Sequence, residues 1–129
     1  MTGGVARRSN AHLVSGRQAE DCALTFLEKE GLRLLDRNFL CRVGEIDLIM
    51  LDGVQLVFVE VRFRSSSRFG SAAESVDRRK QARIARAASW YISSRRLDCP
   101  ARFDVVAVSP GSEELTVDWI PDAFHGGES

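Results

Sequence analysis

The chain of 129 residues has few of the side chains that bind soft metals. It has three cysteines, Cys22, Cys41 and Cys99, and two histidines, His12 and His125. The cysteines form no CxxC pair and the histidines stand near opposite ends, so the ligand spacing of a structural zinc site is missing. An odd number of widely spaced cysteines also argues against a disulfide framework and fits a reducing compartment. No apolar run approaches the roughly 20 residues of a membrane helix. The opening MTGGVARRSNAHL lacks the apolar stretch of a signal peptide and reads as a short basic tail over residues 1–13. These absences predict a cytoplasmic protein with no membrane partner. Basic residues, finally, are absent after Arg102.

That last absence is part of a pattern. The net charge is zero, but residues 1–61 carry 7 basic and 9 acidic side chains, net −2. Residues 62–102 carry 11 and 3, net +8, and residues 103–129 carry none and 6, net −6. A neutral chain with a basic middle predicts one face for an anionic partner. With 44% hydrophobic and 28% charged residues, the composition suits one globular domain with one core, expected over residues 14–124, with 125–129 as a tail.

The pattern along that domain predicts the order α-β-β-β-α-β-β. A capping-box sequence at Ser15–Gln18 opens a helix whose apolar residues Ala19, Cys22, Ala23, Phe26 and Leu27 recur at helical spacing. Gly31 is a plausible stop for it. LRLLDRNFLC reads as a strand. Glu45–Leu51 and Val54–Phe63 flank Asp52-Gly53, a dipeptide suited to a tight hairpin. After a polar loop, a helix is expected from about Asp77 to Arg95, with Ile84, Ala88, Tyr91 and Ile92 on one stripe. RFDVVAV and LTVDWI read as the last strands, with a loose tail after Pro121. The second helix links strands as a crossover, which suits a parallel pair in a mixed sheet.

Two of these strands carry acids inside apolar runs: Glu45 and Asp47 in GEIDLIM, Glu60 in LVFVEVRFR. With a two-residue loop at Asp52-Gly53, Glu60 lies opposite Glu45. Glu45, Asp47, Glu60 and Arg62 then share one face, and Ile46 and Leu48 serve the other. Asp47 and Glu60 become diagonal neighbours, roughly 7–8 Å apart at their α-carbons. Two carboxylates converging from that distance can hold a hard divalent ion, which fills its other positions with water and phosphate oxygens. The competing reading is a half-exposed strand whose acids face solvent, with Arg62 paired to Glu60 as a plain salt bridge.

At these residues the chain resembles the YraN family of small bacterial proteins, which look like members of the PD-(D/E)xK nuclease superfamily. That superfamily has the restriction-endonuclease-like fold and includes Holliday junction resolvases and tRNA endonuclease-like domains. The resemblance covers about residues 15–124, through GRQAED at Gly16–Asp21, RNFLCRVGEIDLIM at Arg37–Met50, VFVEVRFR at Val57–Arg64, Phe69-Gly70, Lys80, RFDVV at Arg102–Val106 and Asp122–Phe124. It implies a restriction-endonuclease-like α/β domain and a metal-dependent endonuclease acting on nucleic acid. Asp47 and Glu60 would be the metal-binding acids, holding Mg2+ or Mn2+, with Glu20 able to complete the site. Arg62 takes the lysine position of the motif. Arginine stays protonated and cannot serve as a base, though it can hold a phosphate. Lys80, near the start of the second helix, is a candidate substitute cation; a lysine whose stem covers apolar surface is its other reading.

The basic middle supplies the remaining candidates. Arg79, Arg83, Arg86 and Trp90 recur at helical spacing as a ridge ending in an aromatic ring. Arg62, Arg64, Arg68, Arg78 and Lys80 lie upstream, with serines at 65–67. Such a surface suits a phosphate backbone and has no evident means of reading base sequence, so DNA shape or a junction is the expected target, DNA before RNA. A homodimer is compatible with the pattern. Two other functions fit the same residues: an inactive nucleic-acid-binding module of this fold, and an interaction module docking an acidic protein partner.

Overall fold

The computed structural model describes residues 16–64 and 76–125. Residues 1–15, 65–75 and 126–129 lie outside the described residues, and with them Ser15, the serines at 65–67, Arg68 and Phe69-Gly70.

Ala19, Ala23 and Leu27, four residues apart, form the buried stripe of α1 (Gly16–Lys29). The helix ends at Gly31, which takes a left-handed φ of 101° that a side chain would oppose. Strand β1 (Arg33–Cys41) follows, then β2 (Gly44–Asp52) and β3 (Gln55–Phe63). Helix α2 (Arg78–Arg95) starts where Asp77 accepts a hydrogen bond from the Lys80 amide at 2.9 Å, an N-cap. Strands β4 (Ala101–Pro110) and β5 (Leu115–Phe124) complete the expected order.

The five strands form one mixed sheet in the order β1-β2-β3-β4-β5. Among the described strands only β3 and β4 run parallel, and α2 crosses between them, as a parallel connection demands. Each helix covers one face. Ile84, Ala87, Ala88 and Tyr91 of α2 pack on Ile46, Ile49, Phe58, Val105 and Ala107. The α1 stripe packs on Leu48, Met50, Val57, Val59, Val106 and Val108. Each fully buried side chain of this size contributes about 1.5–3 kcal/mol by leaving water.

Three details depart from the sequence expectation. The hairpin loop is Gly53-Val54, not Asp52-Gly53: Asp52 pairs with Gln55 and Leu48 with Val59. Gly53, at φ 64°, takes the first loop position, the place a type II′ turn reserves for glycine. Ile46 and Leu48 do not share a face; Ile46 packs under α2 and Leu48 under α1. Alternation breaks between them at Asp47, across from Asn38, whose φ of 54° interrupts the extended course of β1. Finally, β5 runs through Pro121 to the buried Phe124, which pairs with Phe103. A register shift between Phe103 and Val105 absorbs the proline, which an edge strand tolerates.

That last segment is tied down by Asp104, completely buried on β4. Its carboxylate accepts from Arg102 Nε and Nη2 at 3.0 and 3.2 Å, from Trp119 Nε1 at 2.9 Å and from the Asp122 amide at 2.9 Å. Arg102 also reaches Asp52 Oδ2 and Gln55 Oε1, both at 3.0 Å, so the network spans β2 to β5.

Gly44 sets the distance between the β1–β2 hairpin and α2. A Cβ placed there would stand 3.0 Å from the Arg83 carbonyl oxygen and 3.7 Å from the Ala87 methyl. Helix backbone cannot step aside as a side-chain tip can. Gly44→Ala is expected to lower stability by about 1–2 kcal/mol, measured by urea unfolding; an unchanged midpoint would show that the hairpin docks loosely.

Candidate functional site

Glu60 is an acid that the sheet buries, at 4% exposure. It follows Phe58 on the α2 face of β3, two residues on, where the first turn of α2 comes down on the sheet. Lys80 Nζ stands 3.2 Å from Glu60 Oε2, and Arg62 Nη1 stands 3.4 Å from the same oxygen. One carboxylate oxygen therefore carries two cations, one supplied by the helix and one by the strand. Lys80 is thus more than a stem covering apolar surface: its ammonium ends on the acid.

Asp47 comes to the same place from β2. The paired register ends at Leu48 and Val59, and Asp47 and Glu60 are the next residue on each strand. They are near enough for the charge of Glu60 to act on Asp47. Asp47 Oδ2 accepts from the Val61 amide at 2.8 Å. Among the described residues Asp47 forms no ion pair. Burial first, then the negative charge of Glu60, then those of Glu20 and Glu45, push its carboxyl up from the ordinary 3.8 to about 7. The Val61 hydrogen bond pulls the other way and loses.

Glu20 projects from α1 toward the same end of the sheet. Asn38 Nδ2 reaches both of its oxygens, at 3.0 and 2.9 Å, and Arg37 Nε donates to Oε1 at 3.3 Å. Arg37 Nη2 also bonds Asp21 Oδ1 at 2.6 Å. Arg37 and Asn38 were not singled out from the sequence. The available signal was Asn38 itself, a residue depleted in strands and tolerant of left-handed φ, in the middle of a strand-like run.

Two carboxylates suit a hard cation such as Mg2+, which typically takes one or two from the protein and keeps water elsewhere. The donor set fits at that level: oxygen ligands only, and in Asp47 an acid whose proton affinity is raised by burial and by negative charge, with no ion pair among the described residues. Among the described residues, no group of three or more His, Cys, Asp or Glu side chains converges to hold an ion. Glu20 therefore stands near the pair without closing a three-acid cage.

The basic candidates divide. Arg78, Arg79, Arg83 and Arg86 are exposed on α2 and form no ion pair among the described residues. Arg64 follows β3 with its amide bonded to the Val108 carbonyl at 2.9 Å, and its side chain is engaged rather than free. Arg68 lies outside the described residues. Arg95, by contrast, is used by the fold: it pairs with Asp36 at 3.5 Å and lies over the Tyr91 ring at 4.0 Å.

Fold and site define a mixed α/β protein with two neighbouring strand carboxylates and two cations upon one of them. The chain belongs to the uncharacterised protein family UPF0102, whose pattern matches residues 19–108 and so includes Glu20, Asp47, Glu60, Arg62 and Lys80. UPF0102 is the family of the YraN proteins, as the sequence motifs indicated. A UPF0102 protein of Nitrosomonas europaea is 50% identical over 109 residues, covering 84% of this chain and 92% of the relative. One of Methylococcus capsulatus is 48% identical over 112 residues, covering 87% and 91%. One of Pseudomonas fluorescens is 46% identical over 116 residues, covering 88% and 95%. No helix among the described residues is long and apolar enough to cross a membrane.

Proposed function

We propose that this protein binds nucleic acid and hydrolyses phosphodiester bonds with Mg2+ or Mn2+, on DNA in preference to RNA and on branched or junction forms in preference to plain duplex. The reading rests chiefly on Asp47 beside Glu60, with Lys80 and Arg62 on Glu60 and, among the described residues, no ion pair on Asp47. The PD-(D/E)xK resemblance of the same residues supports it.

Asp47 and Glu60 would hold the ion, with Glu20 beside them. A bound divalent ion supplies an acidified water and polarises a phosphoryl oxygen. The chain's own residues do the rest. Arg62 and Lys80 offer donors to the oxygens of the scissile phosphate, where negative charge grows. Arg62 keeps its proton, so it positions and stabilises rather than acting as a base. Arg78, Arg79, Arg83 and Arg86 hold flanking phosphates, which makes binding fall steeply with salt.

A panel of linear, flapped and four-way DNA with Mg2+ or Mn2+ tests this. Wild type is expected to cut at least one form in a metal-dependent way. Glu60→Gln is expected to cut about 100-fold more slowly or worse, by analogy with loss of one transition-state contact, while binding DNA within a few-fold of wild type. A second reading draws on Arg62 at the lysine position: the fold retained as a binding module without chemistry. Tight, salt-sensitive binding with no cleavage of any substrate would select it.

A further inference from the structure

We infer that the groove between the β1–β2 turn and the outer face of α2 is a subsite for an unpaired nucleobase, stacked on Trp90 and flanked by Arg86. The inference rests on the nucleic-acid reading above and adds to it what the strand must look like: single-stranded where it crosses this groove.

Trp90 is 54% exposed and has no ring partner or hydrogen bond among the described residues. The protein's other tryptophan, Trp119, is explained by packing: its ring lies 6.1 Å from Phe26 and its N–H bonds Asp104 at 2.9 Å. Trp90 does neither, so the fold does not account for it. Val43, Ala82, Arg86, Ser89, Trp90 and Ser93 border an open groove of about 610 Å³. The small side chains of Ala82, Ser89 and Ser93 leave its floor low, and Gly44 brings the hairpin close enough to the helix to form its wall.

Charge selects the occupant. Helix α2 carries Arg78, Arg79, Lys80, Arg83, Arg86 and Arg95 and no acid. A second copy of this helix would be repelled. A polyanion is attracted, and among polyanions an exposed indole beside guanidinium groups favours one with flat rings. Base–aromatic stacking needs an open π-face, which a duplex hides and an unpaired strand offers. Trp90 lies ten residues beyond Lys80, about 15 Å along the helix. That is about four nucleotide steps of a stacked strand, fewer of an extended one. Arg83 and Arg86 fill the interval. A strand whose phosphate meets Lys80 can therefore reach Trp90 without leaving the basic ridge.

The test uses the full chain in EDTA, with labelled oligo(dT), a duplex of matched length and polyglutamate of matched charge. Trp90→Ala is expected to weaken oligo(dT) binding roughly ten- to hundredfold and to leave duplex binding within about twofold. Trp90→Phe is expected to keep most of the oligo(dT) affinity, since its ring still stacks. Oligo(dT) should quench wild-type tryptophan emission, polyglutamate should not, and Trp90→Phe should remove the quench because Trp119 is held by Asp104 and packs on the opposite face of the sheet. Equal affinity of Trp90→Ala and wild type for oligo(dT), with both still binding DNA, overturns the subsite and leaves the proposed function standing. An equal quench by polyglutamate also overturns it, in favour of an acidic protein segment. Absence of binding to every nucleic acid at low salt overturns both readings.

Discussion

Asp47→Asn is expected to make the metal-free protein more stable above pH 7, not less. The Asp47 carboxyl titrates near 7 in the folded protein against 3.8 ordinarily, because burial and the charges of Glu60, Glu20 and Glu45 favour its neutral form. A folded-state value above the unfolded one gives stability that is complete below pH 3.8 and lost as the pH rises through about 7. The displacement corresponds to at most about 4 kcal/mol, less to the extent that solvent screens the carboxylate. Thermal unfolding from pH 4 to 8 should therefore show wild type losing stability relative to Asp47→Asn. Mg2+ or Mn2+ should restore wild type at pH 8, do little at pH 5 where protons hold the site, and leave Asp47→Asn unmoved. A wild type whose stability at pH 8 ignores both ions would falsify the metal assignment, and identical pH profiles for the two proteins would overturn the account of Asp47.

Asp104→Ala is expected to be the most destabilising single change away from the proposed site. Its carboxylate has no solvent contact and takes four hydrogen bonds from Arg102, Trp119 and Asp122. Removing it strands the Arg102 guanidinium, whose side chain is 14% exposed, with only the more exposed Asp52 as an ionic partner among the described residues. It also orphans the indole N–H and the amide at the β5 register shift. Breaking a buried pair from one side typically costs about 3–5 kcal/mol, a large part of the roughly 5–15 kcal/mol that holds a domain folded. Urea unfolding measures it. A loss below about 1 kcal/mol would mean that water replaces the carboxylate and that the network is dispensable.

These two acids also mark what a reader of the sequence can and cannot see. Element order, the start of α2 near Asp77, the Gly31 stop and the parallel β3–β4 pair follow from local signals: short-range periodicity, a helix-stopping glycine and a crossover. Asp47 and Glu60 were legible because an ionised group inside an apolar strand needs a reason. The loop position was not. Asp-Gly is the commoner hairpin signal, but Gly53-Val54 meets the requirement for positive φ just as well, and pairing along the strands decides between them. Asn38 was missed because its partner, Glu20, is distant in sequence and its left-handed backbone shows only once β1 is paired. The continuation of β5 past Pro121 was missed for a related reason: the proline alone signals an end, and only Asp104 underneath shows why the chain returns to the sheet. Lys80 could be placed on the right side of its helix, while its ion pair with Glu60 depends on how closely that helix sits.

The sequence has two lysines, Lys29 and Lys80, among sixteen arginines, and Lys80 is the one that stands on Glu60. Arg62, on the same oxygen, is rooted in the sheet two residues from the acid itself. The two cations thus have separate footings. A small tilt of α2 against the sheet shortens or lengthens one of these contacts and leaves the other as it is. The close approach of Gly44 to Arg83 and Ala87 fixes how near α2 sits to the hairpin, and with it the reach of Lys80 to Glu60.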